Sequence, residues 1–494
     1  MERNMNILST LYKSSLGLLT DLYQLTMAYG YWKTGCHNQD SVFHLFFRNH
    51  PFGGGFTVAA GLATVVEYLE GLRFDVEDLA YLADLRGNDE QPLFEPAFLD
   101  YLARMRLVCD VHGIPEGTIV FPHEPLLRVT GPLLQAQLLE TALLNIVNFQ
   151  TLVATKAARI TLATRGEPVL EFGLRRAQGI DGALAASRAA YLGGCYATSN
   201  VLAGRLFGIP VRGTHAHSWV MCFDDELEAF RAYARAMPNN CVFLVDTYNT
   251  LDGVRHAIEV GKEMRQRGQE MIGIRLDSGD LAWLSIEARR MLDEAGFPKA
   301  TIVASNDLDE QVITSLKDQG ATIGIWGVGT RLITAYDQPA LGGVYKLAAV
   351  RNGQGVWQYK VKLSEQTIKV SNPGILQVRR YFQRGEAIGD VIFDEQFSIQ
   401  GDCTAVDPMD MTHRKKIPAC TASEDLLVPV ISQGQRAGNL PSLEESRSRV
   451  QQQLGLFHIG IKRFVNPHRY PVGLELGLHE RKTNLILKAR GFEP

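Results

Sequence analysis

The chain has 494 residues, 46% of them hydrophobic and 21% charged; it is too long for one ordinary core and has the composition of a globular protein with two or three domains. A net charge of −4 argues against a nucleic-acid surface, which carries a basic excess. The longest apolar stretch, 133–158, is broken by Gln, Glu, Thr, Asn and Lys, so no membrane span is expected.

Seven cysteines lie at 36, 109, 195, 222, 241, 403 and 420. They form no Cys-x-x-Cys pair, so neither a disulfide framework nor a structural zinc is indicated. With no signal-peptide apolar core in the opening residues, a reducing cytoplasm is the expected location.

In chain order, 18–32 reads as a helix, 41–47 as a strand, and Phe52-Gly53-Gly54-Gly55-Phe56 as a tight turn. Tyr23 falls on that first helix and has the spacing of a core residue. An amphipathic helix follows over 138–156.

From about 165 the rhythm changes. Short apolar runs at 168–172, 208–211, 242–245, 271–274, 300–304 and 323–326 alternate with helical stretches at 225–237, 251–267, 280–295 and 309–319. Strand and helix at this spacing predict βα units and a parallel sheet. Each run ends in polar residues: Gly173-Leu174-Arg175-Arg176, Thr214-His215-Ala216-His217, Asp246-Thr247-Tyr248, Arg275 to Asp280, Ser305-Asn306-Asp307, and Gly327-Val328-Gly329-Thr330. Six polar ends favour an α/β barrel, whose strand ends converge on one face, over an open sheet with one switch point. Past 350 the chain reads as antiparallel strands with a hairpin near Arg384-Gly385. A late helix is opened by the capping box Ser442 and Glu445. The expected division is 14–150, an N-terminal α/β domain; 151–350, the barrel; and 351–494, a C-terminal domain.

P-loop, dinucleotide, nucleophile-elbow and His-Glu-x-x-His motifs are absent. What the chain does carry is chemistry for a polyhydroxy, polyanionic ligand. Arg275-Leu-Asp-Ser-Gly-Asp280 pairs a guanidinium with two carboxylates around a flexible Ser-Gly, although the same string suits a helix cap with an ion pair. Gly327-Val-Gly-Thr330 and Ser305-Asn306 could offer amides and hydroxyls to phosphate, as many plain turns also could. Of the two histidines in Gly213-Thr-His-Ala-His-Ser218, either suits nucleophilic or acid–base work, and either suits a polar turn.

Taken in order, Leu18-Leu-Thr-Asp-Leu-Tyr-Gln24, Phe47-Arg48 with Pro51-Phe-Gly-Gly-Gly55, Glu171-Phe-Gly-Leu-Arg-Arg-Ala177, Gly213 to Ser218, Arg275 to Leu281, Gly327 to Thr330 and Leu341-Gly-Gly-Val-Tyr-Lys-Leu347 make the chain resemble the nicotinate phosphoribosyltransferases. The resemblance implies an N-terminal α/β domain of open-sandwich kind, an irregular α/β barrel of the type II phosphoribosyltransferase kind and a C-terminal extension. It implies an ATP-dependent, ligase-type enzyme of NAD salvage that joins nicotinate to phosphoribosyl pyrophosphate with Mg²⁺, in a homodimer with shared active sites.

By the same resemblance, His217 is the histidine that ATP phosphorylates, while His215 sits at a variable position of the motif. Thr214, Arg275 and Tyr23 match nicotinate contacts, the tyrosine coming from the neighbouring subunit opposite Phe172. Thr330 matches a phosphoribosyl pyrophosphate contact, with Arg175, Ser305, Asn306 and Gly329 as helpers. Asp277 and Asp280 are the carboxylates expected beside an oxocarbenium-like sugar, and Mg²⁺ is expected to be held through pyrophosphate and water.

The alternative is a nicotinamide phosphoribosyltransferase, which places an aspartate against the substrate amide. The matching segment here, Ala197-Thr198-Ser199-Asn200-Val201, has no carboxylate, which supports the acid substrate. A catalytically silent regulator would show a damaged motif, and a barrel aldolase would show a lysine at a strand end; neither is present at these positions.

Overall fold

The parallel sheet predicted for the middle of the chain forms, and its strands follow one another in sequence order around a ring. In the computed structural model, which describes Leu8, Leu11, Tyr12 and residues 15–492, the chain divides into two compact units. One takes the described residues up to 152 together with 340–492, and the other takes 153–339. Residue 14, where the first domain was expected to begin, lies outside the described residues.

The first unit opens with α1 (Leu22–Lys33), which starts later than the predicted 18–32 because Asp21 and Gln24 close a capping box there. It is built on two large sheets and a two-stranded pair of Thr57–Val58 with Ile119–Val120. The first is a seven-stranded antiparallel sheet of β1 (Asp40–Phe46), β2 (Asp110–Gly113), β3 (Leu127–Pro132) and four strands from beyond residue 340, its order running from Trp357–Tyr359 through Val344–Arg351, β1, β3 and β2 to Val428–Ser432 and Gln435–Arg436. Segment 351–494, expected as a domain of its own, therefore contributes strands to the sheet that begins with β1. Phe43 of β1 stacks on Tyr345 at 4.9 Å, and the Tyr345 hydroxyl donates to the Ala136 carbonyl at 2.8 Å, fixing that pairing in the core. The second sheet has six strands, with the predicted hairpin between Leu376–Gln383 and Glu386–Asp394. Arg384 and Gly385 turn it with φ of 53° and 83°, the left-handed pair that a two-residue hairpin needs.

The second unit is a parallel α/β ring. Its strands are β4 (Val169–Glu171), β5 (Ala197–Thr198), β6 (Val242–Leu244), β7 (Gly273–Leu276), β8 (Thr301–Asn306) and β9 (Ile325–Val328), in the order β5-β4-β9-β8-β7-β6. Every pairing in it is parallel. The helices α2 (Glu226–Ala236), α3 (Thr250–Gln266), α4 (Leu281–Glu294) and α5 (Glu310–Asp318) follow within a residue or so of their expected ranges, because Asp225, Asn249, Asp280 and Asp309 each cap one.

The strand expected at 208–211 does not form. Gly208 ends the helix Val201–Phe207 in a left-handed conformation, and Pro210 has no N–H for a ladder. Only a bridge remains: Thr198 pairs with Val211, the Thr198 amide donating to Pro210 and the Arg212 amide donating to Thr198. The sheet thus ends in the 210–212 segment at one edge and in β6 at the other, and the opening between these two edges is its one seam.

Candidate active site

All six polar strand ends belong to the second unit, and four of them meet at one point. Arg275, at the end of β7, is the hub. Its Nε donates to Ser305 Oγ at 2.8 Å, Nη1 to Thr214 Oγ1 at 2.9 Å and Nη2 to Asp277 Oδ1 at 2.7 Å. Ser305 Oγ in turn donates a hydrogen bond to Asp277 Oδ1, and Thr214 donates to the His215 carbonyl at 3.1 Å. Three of five guanidinium N–H groups are used in this way, so two remain for a ligand.

The other Asp277 oxygen, Oδ2, lies 3.6 Å from His217 Nε2. The opposite ring nitrogen, Nδ1, is 3.1 Å from Thr247 Oγ1. His217 opens the short helix His217–Val220, which places its ring at the end of β6. Burial works to raise the Asp277 pKa, but hydrogen bonds from Ser305 and Arg275, with the charges of Arg275 and His217, outweigh it and hold the carboxyl below its ordinary value. A charged carboxylate therefore faces the histidine.

Two residues at the third strand end, flagged as polar but given no role, hold this arrangement. Thr247 orients His217. Asp246 Oδ2 accepts from the Asp277 amide at 2.8 Å and from Ser278 Oγ at 2.6 Å, while its Oδ1 is buried without a hydrogen-bond partner among the described residues. Their position straight after a predicted strand was the available signal.

His215 has a different environment. It is buried, its ring edge packs on Tyr233 at 4.7 Å, and its Nε2 accepts from the Leu244 amide at 3.2 Å. Burial chiefly, with the charges of Arg275 and His217, lowers its pKa to about 4.

Phe172 follows β4 and lies 5.7 Å from the Arg275 guanidinium. Gly327 makes room for its ring, since a Cβ there would come within 2.7 Å of Phe172 Cε2. Glu171 is fully buried and takes the Gly173 amide, Ser187 Oγ at 2.9 Å and Thr198 Oγ1 at 2.6 Å. Neither Gly327 nor Glu171 was singled out as a site residue.

The remaining expected residues are more dispersed. Asn306 ends β8 with φ of 136°, a region normally left to glycine, and its Oδ1 accepts from the Asp307 amide. Gly329 precedes the short helix Thr330–Ile333, with Thr330 as its first residue. Arg175 is exposed on the turn Leu174–Arg176. Asp280 is not drawn into the cluster: its Oδ1 accepts from the Ala282 and Trp283 amides, both at 3.1 Å, and caps α4.

Tyr23 belongs to the first unit. It is 47% exposed on α1, whose buried residues are Gln24, Leu25 and Ala28, so the core reading of its spacing fails. Leu19, Leu22 and Met27 share its exposure.

Three family models match the chain: the nicotinate phosphoribosyltransferase N-terminal domain over residues 18–148, the nicotinate phosphoribosyltransferase family over 168–368, and the nicotinate phosphoribosyltransferase C-terminal domain over 376–482. A Bacillus subtilis (strain 168) protein named nicotinate phosphoribosyltransferase is 47% identical over 477 residues, covering 96% of this chain and 95% of that one. The Homo sapiens protein of the same name is 37% identical over 518 residues, covering 92% and 94%. The crystal structure of human nicotinic acid phosphoribosyltransferase superposes with a TM-score of 0.82 at 34% identity, covering 94% of this chain and 99% of that one.

Proposed function

The chain belongs to the nicotinate phosphoribosyltransferase family, and on that premise we propose that it joins nicotinate to 5-phospho-α-D-ribose 1-diphosphate in NAD salvage, with ATP hydrolysis coupled through a phosphohistidine at His217. The products are nicotinate mononucleotide and pyrophosphate. The observation that carries this reading is the continuous run of contacts Thr214–Arg275–Asp277–His217–Thr247. It ties a carboxylate-clamping guanidinium to a nucleophile.

With Nδ1–H donated to Thr247, the Nε2 lone pair of His217 attacks the γ-phosphorus of ATP. The P–N bond forms, the bond to the bridging oxygen breaks and ADP leaves; water later cleaves the P–N bond to release phosphate. While it lasts, the phosphoryl dianion stands against Asp277 and repels it. Asp277 is tied to Arg275 and Ser305, so that push reaches the guanidinium and Thr214. This is a route by which ATP alters the grip on nicotinate.

At the sugar, the C1–oxygen bond to diphosphate breaks as the pyridine nitrogen bonds to C1. Asp277 faces the positive charge that develops there. The two free N–H groups of Arg275 take the nicotinate carboxylate, Phe172 takes one face of the pyridine ring, and Tyr23 of a second copy takes the other. Arg175, Ser305, Asn306, Gly329 and Thr330 line the phosphate end. Asp280, a candidate by sequence, serves in this reading by anchoring the Ser278-Gly279 bend through its cap.

Mg²⁺ fits the site as an ion carried by the diphosphate. Asp246 Oδ1, buried and without a hydrogen-bond partner among the described residues, would be the acceptor available to it, and the ion when bound would supply charge neutralisation for the departing pyrophosphate. Segment 197–201 favours the acid over the amide: Thr198 is spent on Glu171, and Asn200 donates to Ser187 at 3.2 Å and caps a helix. A cytoplasmic homodimer is the setting we infer; among the described residues no cysteine is joined in a disulfide, and no helix is long and apolar enough to cross a membrane.

The test incubates the protein with phosphoribosyl pyrophosphate, Mg²⁺, ATP and either nicotinate or nicotinamide. Turnover of nicotinamide equal to that of nicotinate would sink the substrate assignment. His217→Ala should abolish both labelling from γ-phosphate and ATP stimulation; a fully labelled variant would move the phosphoryl site elsewhere.

A further inference from the structure

The seam between the 210–212 segment and β6 leaves one side of β6 without a backbone partner. In a parallel strand, successive amides point to opposite neighbours. The Val245 amide donates to the Arg275 carbonyl, toward β7. The Leu244 amide therefore points into the seam, and Leu244 is fully buried. A buried amide without an acceptor is costly and rare in native proteins. Here the acceptor is a side chain, His215 Nε2, at 3.2 Å.

We propose that His215 is a positioning residue: its imidazole stands in for the missing strand at the seam and pins the loop that carries Thr214 and His217 to the end of β6. The proposal rests on the functional reading above for what the pinned loop does.

Three observations support it. The ring is held on its other side by Tyr233 at 4.7 Å and Phe230 at 6.2 Å, both on α2, so its position is set by packing as well as by the hydrogen bond. Its tautomer is set too. Nε2 is an acceptor, so Nδ1 carries the proton, with the Ala216 carbonyl 3.4 Å away. The low His215 pKa, lowered chiefly by burial, keeps the ring neutral and the acceptor available at neutral pH.

What is pinned is the reacting loop itself. The His215 carbonyl receives the Thr214 hydroxyl, which in turn receives Arg275 Nη1. Two residues on, His217 reaches Thr247, three residues past Leu244. With the latch open, Thr214 and His217 lose their common reference to β6, although neither is itself altered.

The test compares His215→Leu, which fills the space without an acceptor, with His215→Gln, whose Oε1 can reach the Leu244 amide. In the full-length enzyme, His215→Leu should slow γ-phosphate transfer to His217 at least 10-fold and raise the nicotinate KM several-fold. His215→Gln should recover both to within about 3-fold. Hydrogen exchange at the Leu244 amide should be fast in the first variant and protected in the second. Equal effects of both variants, or wild-type behaviour of His215→Leu, would overturn the proposal.

If His215→Leu does not fold, histidine-selective ¹⁵N resonances of the wild type decide the matter. An unprotonated Nε2 on His215 supports the latch, and a protonated one refutes it. The exchange and tautomer readouts do not depend on the reaction. A wild-type enzyme that shows the latch but leaves nicotinate unconverted would refute the functional reading and spare the latch geometry.

Discussion

Asp277 Oδ2 lies 3.6 Å from His217 Nε2, while Asp277 Oδ1 is held by Arg275 and Ser305. One carboxylate thus faces the histidine with one oxygen and the substrate clamp with the other. Its pKa is held below the ordinary carboxylate value against the opposing pull of burial. The stabilisation from these contacts is therefore present above the unfolded carboxyl pKa and is lost as pH falls through the lower, folded value.

Asp277→Asn removes the charge and keeps the shape. Removing one preorganised electrostatic partner costs about 10²–10³ in kcat, and a loss of that size is expected here. The same change removes the repulsion on a phosphoryl group at His217. The phosphohistidine should therefore live longer in the variant, as measured by rapid quench with γ-labelled ATP. Unchanged kcat together with an unchanged phosphohistidine lifetime would take Asp277 out of the chemistry.

Asp280 separates a cap from a catalyst. Loss of an Asp cap costs about 1 kcal/mol, so Asp280→Ala should lower the stability of the second unit by that amount. Asp280→Ser should restore it, because a hydroxyl also accepts from the Ala282 and Trp283 amides. Both variants should keep kcat within about 3-fold, since no reacting group contacts this carboxylate. A 100-fold fall in kcat at unchanged stability would return Asp280 to the reaction.

The strand ends were legible in the sequence because each apolar run stops at a polar residue, and Arg275, Thr214, Ser305 and His217 were all picked out that way. Their mutual bonds were not legible. Thr247 matters only because the loop after residue 212 returns to the end of β6, and nothing local to Asp246-Thr247-Tyr248 announces that approach. Helix starts at Asp225, Asp280 and Asp309 were readable because a cap is a local event. The place of Val428–Ser432 beside β2 was not, because long-range antiparallel pairing leaves no trace in spacing. Tyr23 was misjudged by spacing alone: helical periodicity gives a face, and burial chose the neighbouring Gln24 and Leu25 instead.

Gly327 sets the position of the Phe172 ring. A Cβ there would sit 2.7 Å from Phe172 Cε2 and 3.3 Å from Ser305 Cβ, and overpacking of this kind costs about 1–3 kcal/mol. In Gly327→Ala the Phe172 ring must give way, and it loses its stacking position. Aromatic stacking is worth about 0.5–1.5 kcal/mol, so the nicotinate KM should rise about 2- to 12-fold with kcat less affected. Steady-state kinetics with nicotinate varied would show it. Lowered thermal stability with an unchanged KM would confine Gly327 to packing.

Away from the reacting residues, Glu124 in the first unit gives a pH signature. It is fully buried, its Oε2 accepts from the Phe121 amide at 2.8 Å, and its Oε1 receives no hydrogen bond from the described residues. Burial first, then the neighbouring Asp390 charge, raises its pKa well above the ordinary value. Asp390 is itself committed to Arg380 Nη2 at 2.6 Å and to the Tyr470 hydroxyl at 2.8 Å. The folded chain therefore keeps a proton that the unfolded chain releases above about pH 4.3. Protons bound in the folded state exceed those in the unfolded state across that window, so stability falls as pH rises, by at most about 1.4 kcal/mol per pH unit from this group. Glu124→Gln carries no titrating proton. Its urea-unfolding free energy should match wild type near pH 4, exceed it at pH 8, and lose this component of the slope. Parallel pH profiles for the two proteins would show that Glu124 ionises in the folded state as it does in the unfolded one, and that Arg380 neutralises both carboxylates.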